Sequence, residues 1–200
     1  MSSDTVVDLG PLRIRHKRMT DVPDDFAWRR DPELTRYDGA APLGVTYPEY
    51  VAVAEHDIRY GATGRASFSL ETDDGRHVGN LMYYNANASR DEAEVGISLA
   101  LEEVRGRGLG PAVMVAFLRF LWATTSFRVL HLRTLEWNAR AITAFARAGF
   151  SESGRLSEGD QRFVIMQARR EWWLLWDSEG RFEPVLAKAL RPPPERTEGA

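Results

Sequence analysis

The 200 residues are 44% hydrophobic and 28% charged, the balance of one water-soluble domain with room for its own core. With 26 basic residues against 29 acidic ones the formal charge is −3. No basic excess is available to release counterions from a phosphate backbone, so no nucleic-acid partner is expected. Cysteine is absent, which excludes disulfides, zinc–thiolate and iron–sulfur sites and any thiol nucleophile.

The start, Met1-Ser2-Ser3-Asp4, has neither the basic nor the apolar region of an export signal. The uncharged run from Gly108 to Leu118 ends at Arg119, well short of the ~20 residues that span a bilayer. The expectation is a cytoplasmic protein without membrane contact. All but two of the basic residues are arginine, the exceptions being Lys17 and Lys188.

Residues 1–10 read as a loose lead-in, followed by a single domain over residues 11–176 and a C-terminal extension over 177–200. The last ten residues of that extension (191–200) are polar, proline-rich and expected to be disordered. Within the domain, Pro11–Lys17 alternates Leu12 and Ile14 with Arg13 and Arg15, a half-buried strand. Asp21 offers an N-cap and Pro23 an early helical position for a helix to Arg30. A loop covers Tyr37–Thr46, and Tyr47–Tyr60 is a second helix closed by Gly61.

Ala66–Glu71 and His77–Asn85 flank the Asp74-Gly75 turn as a hairpin. Glu92–Leu101 alternates, then becomes continuously apolar, as a central strand does. A helix follows from Pro111 to about Ala123, apolar on nearly every face except Arg119 and therefore buried against a sheet. Val129–Leu135 is a strand, Ala139–Ala148 a helix and Phe163–Gln167 a late strand. The fold class expected is mixed α+β, a sheet with helices on both faces.

Between the central strand and the buried helix lies Arg105-Gly106-Arg107-Gly108-Leu109-Gly110-Pro111. Glycines permit a sharp turn and close approach of a ligand, and the first N–H groups of the next helix point outward toward an anion. Two familiar phosphate loops do not fit. A dinucleotide fingerprint counted from Gly106 needs glycine where Pro111 stands, and a P-loop needs a lysine that is nowhere near.

Arg105-x-x-Gly108-x-Gly110 after the Ala93-Glu94-Val95-Gly96-Ile97 strand resembles the acetyl-CoA motif of the GNAT N-acetyltransferases. Asn138-x-x-Ala141-x-x-x-Phe145-x-x-x-Gly149-Phe150 is similar to that family's downstream motif. The Asp31–Tyr37 segment and Ala168–Trp172 further resemble the ribosomal-protein N-terminal acetyltransferase (RimJ/RimL-type) branch. The resemblance implies the GNAT fold with a mostly antiparallel sheet, and acetyl-CoA as cosubstrate. It implies that the backbone of Arg105, Gly106, Arg107, Gly108, Leu109 and Gly110 holds the pyrophosphate. Ser98, Leu99 and Ala100 would bond the pantetheine arm, and Asn138 would reach the cofactor from across the gap or cap the next helix.

In such enzymes a primary amine attacks the thioester directly. Glu94 is the candidate base, acting through a water, with a surface carboxylate at the start of the strand as the plainer reading. The oxyanion donor would be the backbone N–H of Leu99. Where many members carry a tyrosine acid this chain has Phe145, which reads as core, so Tyr83, Tyr84, a water or no acid at all serves the leaving thiolate. A thiolate leaves near neutral pH unaided, and an α-amine at about 7.7–8.0 sheds its proton more readily than a lysine at about 10.4. That favours a protein or peptide N-terminal α-amine as acceptor. The rivals are a small amine (polyamine, amino acid or aminoglycoside) and a non-catalytic acyl-CoA-binding module.

Asp31, Glu33 and Asp38 could hold a cationic acceptor or simply be exposed helix-end carboxylates. His16, His56, His77 and His131 show no metal-ligand spacing, so no metal is expected, and His131 reads as structural. Trp172, Trp173 and Trp176 are assigned to the core or to a homodimer seam.

Overall fold

Alternation along the strands sorts the chain into a sheet with two unlike faces, and that asymmetry sets where chemistry can happen. A computed structural model describes residues 4–101, 104–105 and 108–189. Eight strands form one sheet: β1 (Thr5–Asp8), β2 (Leu12–His16), β3 (Ala66–Thr72), β4 (His77–Asn87), β5 (Glu92–Leu99), β6 (Val129–Leu135), β7 (Ser151–Glu158) and β8 (Gln161–Arg169). Their spatial order is β1-β2-β3-β4-β5-β6-β8-β7, antiparallel throughout except for the parallel pair β5 and β6. The helices are α1 (Val22–Arg30), α2 (Pro32–Asp38), α3 (Tyr47–Tyr60), α4 (Leu109–Thr124), α5 (Ala139–Arg147), α6 (Arg170–Ser178) and α7 (Glu183–Ala189).

On one face Ile14, Phe68, Leu70, Leu81, Val95, Leu130 and Val164 are buried in register. The apolar helix α4 covers them, with Ala112 through Leu118 buried. Nearly all of α4 is inside, as its lack of a polar face requires. α5 ends at Gly149, whose φ of 93° is the left-handed conformation of a helix stop, and the amide of Phe150 donates to the carbonyl of Phe145. A β-carbon on Gly149 would stand 2.7 Å from Trp173 and 2.8 Å from Phe182, so close packing as well as φ demands glycine.

The opposite face carries polar residues in register: Arg15 beside Ser69, Ser69 beside Asn80, Asn80 beside Ser98. The N-terminal end of α1 seats here through ions. Arg15 donates from both terminal nitrogens to Asp21 at 2.8 Å and from Nε to Glu71 at 2.5 Å. All three side chains are buried. Asp21 also accepts from Ser69 Oγ at 2.6 Å and from the Arg18 amide at 2.9 Å. Burial opposes its charge, but Arg15 and these other donors outweigh that and hold its carboxyl far below the usual range. Asp21 does precede α1, with Pro23 in the first turn, yet its side chain makes no cap bond because the arginine has claimed it. Beside this network Lys17 Nζ donates to Asp25 at 2.5 Å and to Asn80 at 2.6 Å, and burial pushes its ammonium pKa down.

Four elements depart from the sequence expectation. The lead-in forms β1, an edge strand paired with β2. Asp31 accepts from the Glu33 amide at 2.8 Å and caps α2 within what reads as a connection. β7 is exposed along nearly its whole length, so no alternation marks it. The extension joins the core: Phe182 is buried and stacked on Trp173 with ring centres 4.6 Å apart, and Leu186 is buried against α4. Trp173 is core, while Trp172 is exposed. The tail 191–200 lies outside the described residues.

Candidate active site

The two parallel strands part company early. β5 and β6 pair only from Glu92↔Val129 to Glu94↔His131, although β5 runs on to Leu99 and β6 to Leu135. Beyond Glu94 the facing edge of β5 therefore has no strand partner. The ladder with β4 tells which groups point into that gap. The Ala100 amide donates to the Val78 carbonyl at 3.0 Å, which makes Leu99↔Gly79 a non-hydrogen-bonded pair. Leu99, and by alternation Ile97, turn their own N–H and C=O groups away from β4 toward β6. Of the three residues expected to meet the pantetheine arm, Leu99 presents its N–H to the gap. Ser98 faces β4, and Ala100 has its amide committed to Val78. The strand edge in the gap is that of Ile97 and Leu99.

At the far end of the gap the glycine turn opens α4. Gly108 is the N-cap residue with φ 78° and ψ 7°, a left-handed conformation suited to glycine. Leu109 and Gly110 begin the helix, and the amides of a first turn have no acceptor within the helix itself. The side chain of Arg105 turns inward. Its Nε donates to the Leu99 carbonyl at 2.8 Å and Nη2 to the Ala100 carbonyl, so its guanidinium ties the turn to the end of β5. Gly106 and Arg107 lie outside the described residues. Across the gap Asn138 Oδ1 accepts from the Ala141 amide at 3.2 Å and caps α5, leaving the amide nitrogen for other work. Phe145 packs on the core and meets Phe150 with ring centres 6.2 Å apart, the core role read from the sequence.

Where the parallel pairing ends, on the polar face, lies a cleft of about 420 Å³ lined by Asn85, Glu92, Glu94, His131, Arg133 and Glu158 among others. A bulge in β4 at Tyr84–Asn87 puts Asn85 at φ 52° and aims its amide nitrogen at Glu94 Oε1, 3.1 Å away. Tyr84 lies directly opposite Glu94. Burial first, then the charge and hydrogen bond of Glu94, push its phenol up to about 12. It stays protonated at neutral pH and serves as a donor. Tyr83 points to the other face, edge-on to Phe127 with centres 5.3 Å apart, away from Glu94.

His131, read as structural, lines this cleft with its Nε2 3.8 Å from Glu92, and Arg133 pairs with Glu158 at 2.9 Å. Parallel register with Glu94 is the signal that would have found His131. Asp38 ends α2 within electrostatic reach of Tyr84; crowding by surrounding protein raises its carboxyl pKa against the pull of Arg29. Asp31 is a cap and Glu33 is exposed. Among the described residues no three His, Asp or Glu side chains converge as metal ligands, and no helix is long and apolar enough to cross a membrane.

The family described as Acetyltransferase (GNAT) domain matches residues 12–151. The chain belongs to this family. The acetyltransferase is accordingly an enzyme that moves an acetyl group from acetyl-CoA to an amine. The gap edge, the left-handed Gly108 and the start of α4 fit an elongated ligand that ends in phosphate. No curated protein matches the chain. Among solved structures it is similar to spermidine N-acetyltransferase from Vibrio cholerae in complex with CoA and spermine. The TM-score is 0.75 at 18% identity, over 82% of this chain and 98% of that one. A chimera of the same Vibrio cholerae enzyme with hSSAT gives 0.71 at 17%, over 82% and 99%. At such identity the likeness is one of fold. Both neighbours are spermidine N-acetyltransferases rather than members of the ribosomal-protein branch that two segments of the sequence resemble.

Proposed function

We propose that the acetyltransferase acts on a small primary amine bearing further positive charge, the polyamine class. The observation that carries this reading is the charge of the cleft beside Glu94. Glu92, Glu94 and Glu158 line it, Asp38 stands near Tyr84, and the one arginine of the lining, Arg133, is already paired with Glu158. A net negative cleft concentrates a cation and orients it. The similarity of fold to a spermidine N-acetyltransferase bound to spermine supports the same class.

In this reading Glu94, through a water, takes a proton from the bound ammonium so that the neutral amine attacks the thioester, and Tyr84 holds the carboxylate with its hydroxyl. The Leu99 amide donates to the oxygen on which charge develops, and the amides at the start of α4 hold the pyrophosphate. Thiolate leaves without an acid, since Phe145 has no proton to give and a thiol of about 8.5 needs none.

A second reading, transfer to the N-terminal α-amine of a protein, draws on that same missing acid, because an amine of low pKa needs the least help. Thiol release from acetyl-CoA, compared between spermidine-like polyamines and peptides with free N-termini at neutral pH, separates the two. At least tenfold higher kcat/KM for the polyamines is expected. Equal or better turnover of peptides overturns the polyamine reading in favour of the α-amine.

A further inference from the structure

Among the described residues only Asn85 and Asp91 hold a non-glycine backbone at positive φ, at 52° and 54°. That conformation is costly for residues with a β-carbon, and least so for asparagine and aspartate. Both flank the short stretch Glu92–Glu94 that lines the cleft. The carbonyl of Asp91 accepts from the amides of Arg128 at 2.6 Å and Val129 at 3.3 Å, where the parallel pairing of β5 with β6 begins. Asn85 sits in the bulge of β4.

The register shows what that bulge achieves. Tyr84 is opposite Glu94 and Asn87 opposite Glu92, so Asn85 and Ala86 together face Ala93. Without the extra residue, alternation would turn Asn85 to the face of Tyr83, away from the cleft. With it, Asn85 joins Tyr84 on the cleft side, its side chain 3.1 Å from Glu94 Oε1. A carboxylate only accepts, so the amide nitrogen of Asn85 is the atom that faces it. The Ala86 amide donates to the Gly64 carbonyl at 3.0 Å and anchors the bulge.

We propose that Asn85 is a positioning residue for acetyl transfer. The bulge brings a second donor onto Glu94, and Asn85 and Tyr84 together fix the carboxylate in one orientation in the cleft. The left-handed backbone is the strain that this placement requires. Asn85 is exposed, so its side chain adds little to the core. This rests on the reading of Glu94 as the base.

The test is thiol release from acetyl-CoA at neutral pH by wild type, Asn85→Gly, Asn85→Asp, Glu94→Gln and the double variant Asn85→Gly/Glu94→Gln. Spermidine and a peptide with a free N-terminus serve as acceptors, so the result does not depend on the acceptor class. Glycine adopts a φ of 52° freely, so Asn85→Gly should unfold at about the wild-type urea midpoint. Its kcat should nevertheless fall about fivefold, the weight of one exposed hydrogen bond to a charged group. Its KM for acetyl-CoA should not change. Asn85→Asp tolerates the same backbone but offers Glu94 no proton, and should lose at least as much. In the Glu94→Gln background Asn85→Gly should cause no further loss, because the residue acts through that carboxylate.

Wild-type kcat in Asn85→Asp would mean that the bulge matters for its shape alone, and overturns the proposal. So does an undiminished loss on top of Glu94→Gln, which would make Asn85 independent of the base. If Glu94→Gln is impaired while both Asn85 variants turn over normally, the base reading stands and only the proposal fails. If Glu94→Gln turns over like wild type, the base reading fails and the proposal with it.

Discussion

Replacing Asp21 by Asn tests whether the polar face is held by ions. The substitution keeps the volume but removes the charge that Arg15 engages with two bonds of 2.8 Å, and it disturbs the acceptors for Ser69 Oγ and the Arg18 amide. Arg15 is 2% exposed, so water cannot replace the lost partner. Breaking one side of a buried pair costs about 3–5 kcal/mol. Glu71 remains 2.5 Å from Arg15 Nε, which places the expected loss at the low end, about 3 kcal/mol.

With a urea m-value of about 2–3 kcal/mol/M, the midpoint should fall by roughly 1 M. Because the native Asp21 pKa lies below the unfolded value of about 3.9, its contribution is complete above that pH. It is lost as pH falls toward the native value. The gap between wild type and variant should therefore be full at pH 7 and shrink through the acid range. A loss under about 1 kcal/mol at pH 7, or a gap that does not close in acid, refutes the electrostatic account.

Two further substitutions probe the frame of the site. Phe182→Ala removes a buried ring stacked on Trp173 and should cost about 3–5 kcal/mol in denaturant unfolding; a cost near zero would mean that the extension is not part of the core. Asn138→Ala deletes the α5 cap and should cost about 1 kcal/mol of stability. A raised KM for acetyl-CoA in that variant, measured alongside, would add a cofactor contact to the cap, and an unchanged KM leaves the cap alone.

The parts of the fold that were legible are those where one physical pattern rules. β5 alternates and then becomes apolar, α4 is apolar on nearly every face, and Gly149-Phe150 closes α5 as a helix stop should. β7 escaped because an edge strand exposed to water on both faces has no alternation to read. β1 and α7 are short, and each is stabilised by its neighbour, β2 for one and α4 for the other.

In the site, the glycine turn is legible in local sequence and Glu94 through the family resemblance, whereas the placement of Arg105 and His131 depends on register and long-range packing. Arg105 reads as part of the phosphate loop through its backbone, and only the fold shows that its guanidinium bonds the carbonyls at the end of β5. Arg15 and Asp21 read as a surface arginine and a cap, and their union depends on α1 folding back over β2 and β3.

The most direct trial of the site is the pH profile of acetyl transfer to a polyamine by wild type and Glu94→Gln, followed by thiol release. Loss of the carboxylate should lower kcat about 10²-fold or more near pH 7, where an alkylamine of pKa about 10.4 is an ammonium. The deficit should narrow as pH approaches that value, with acetyl-CoA affinity unchanged throughout. A variant that turns over like wild type at pH 7 would remove Glu94, and with it the cleft, from the chemistry.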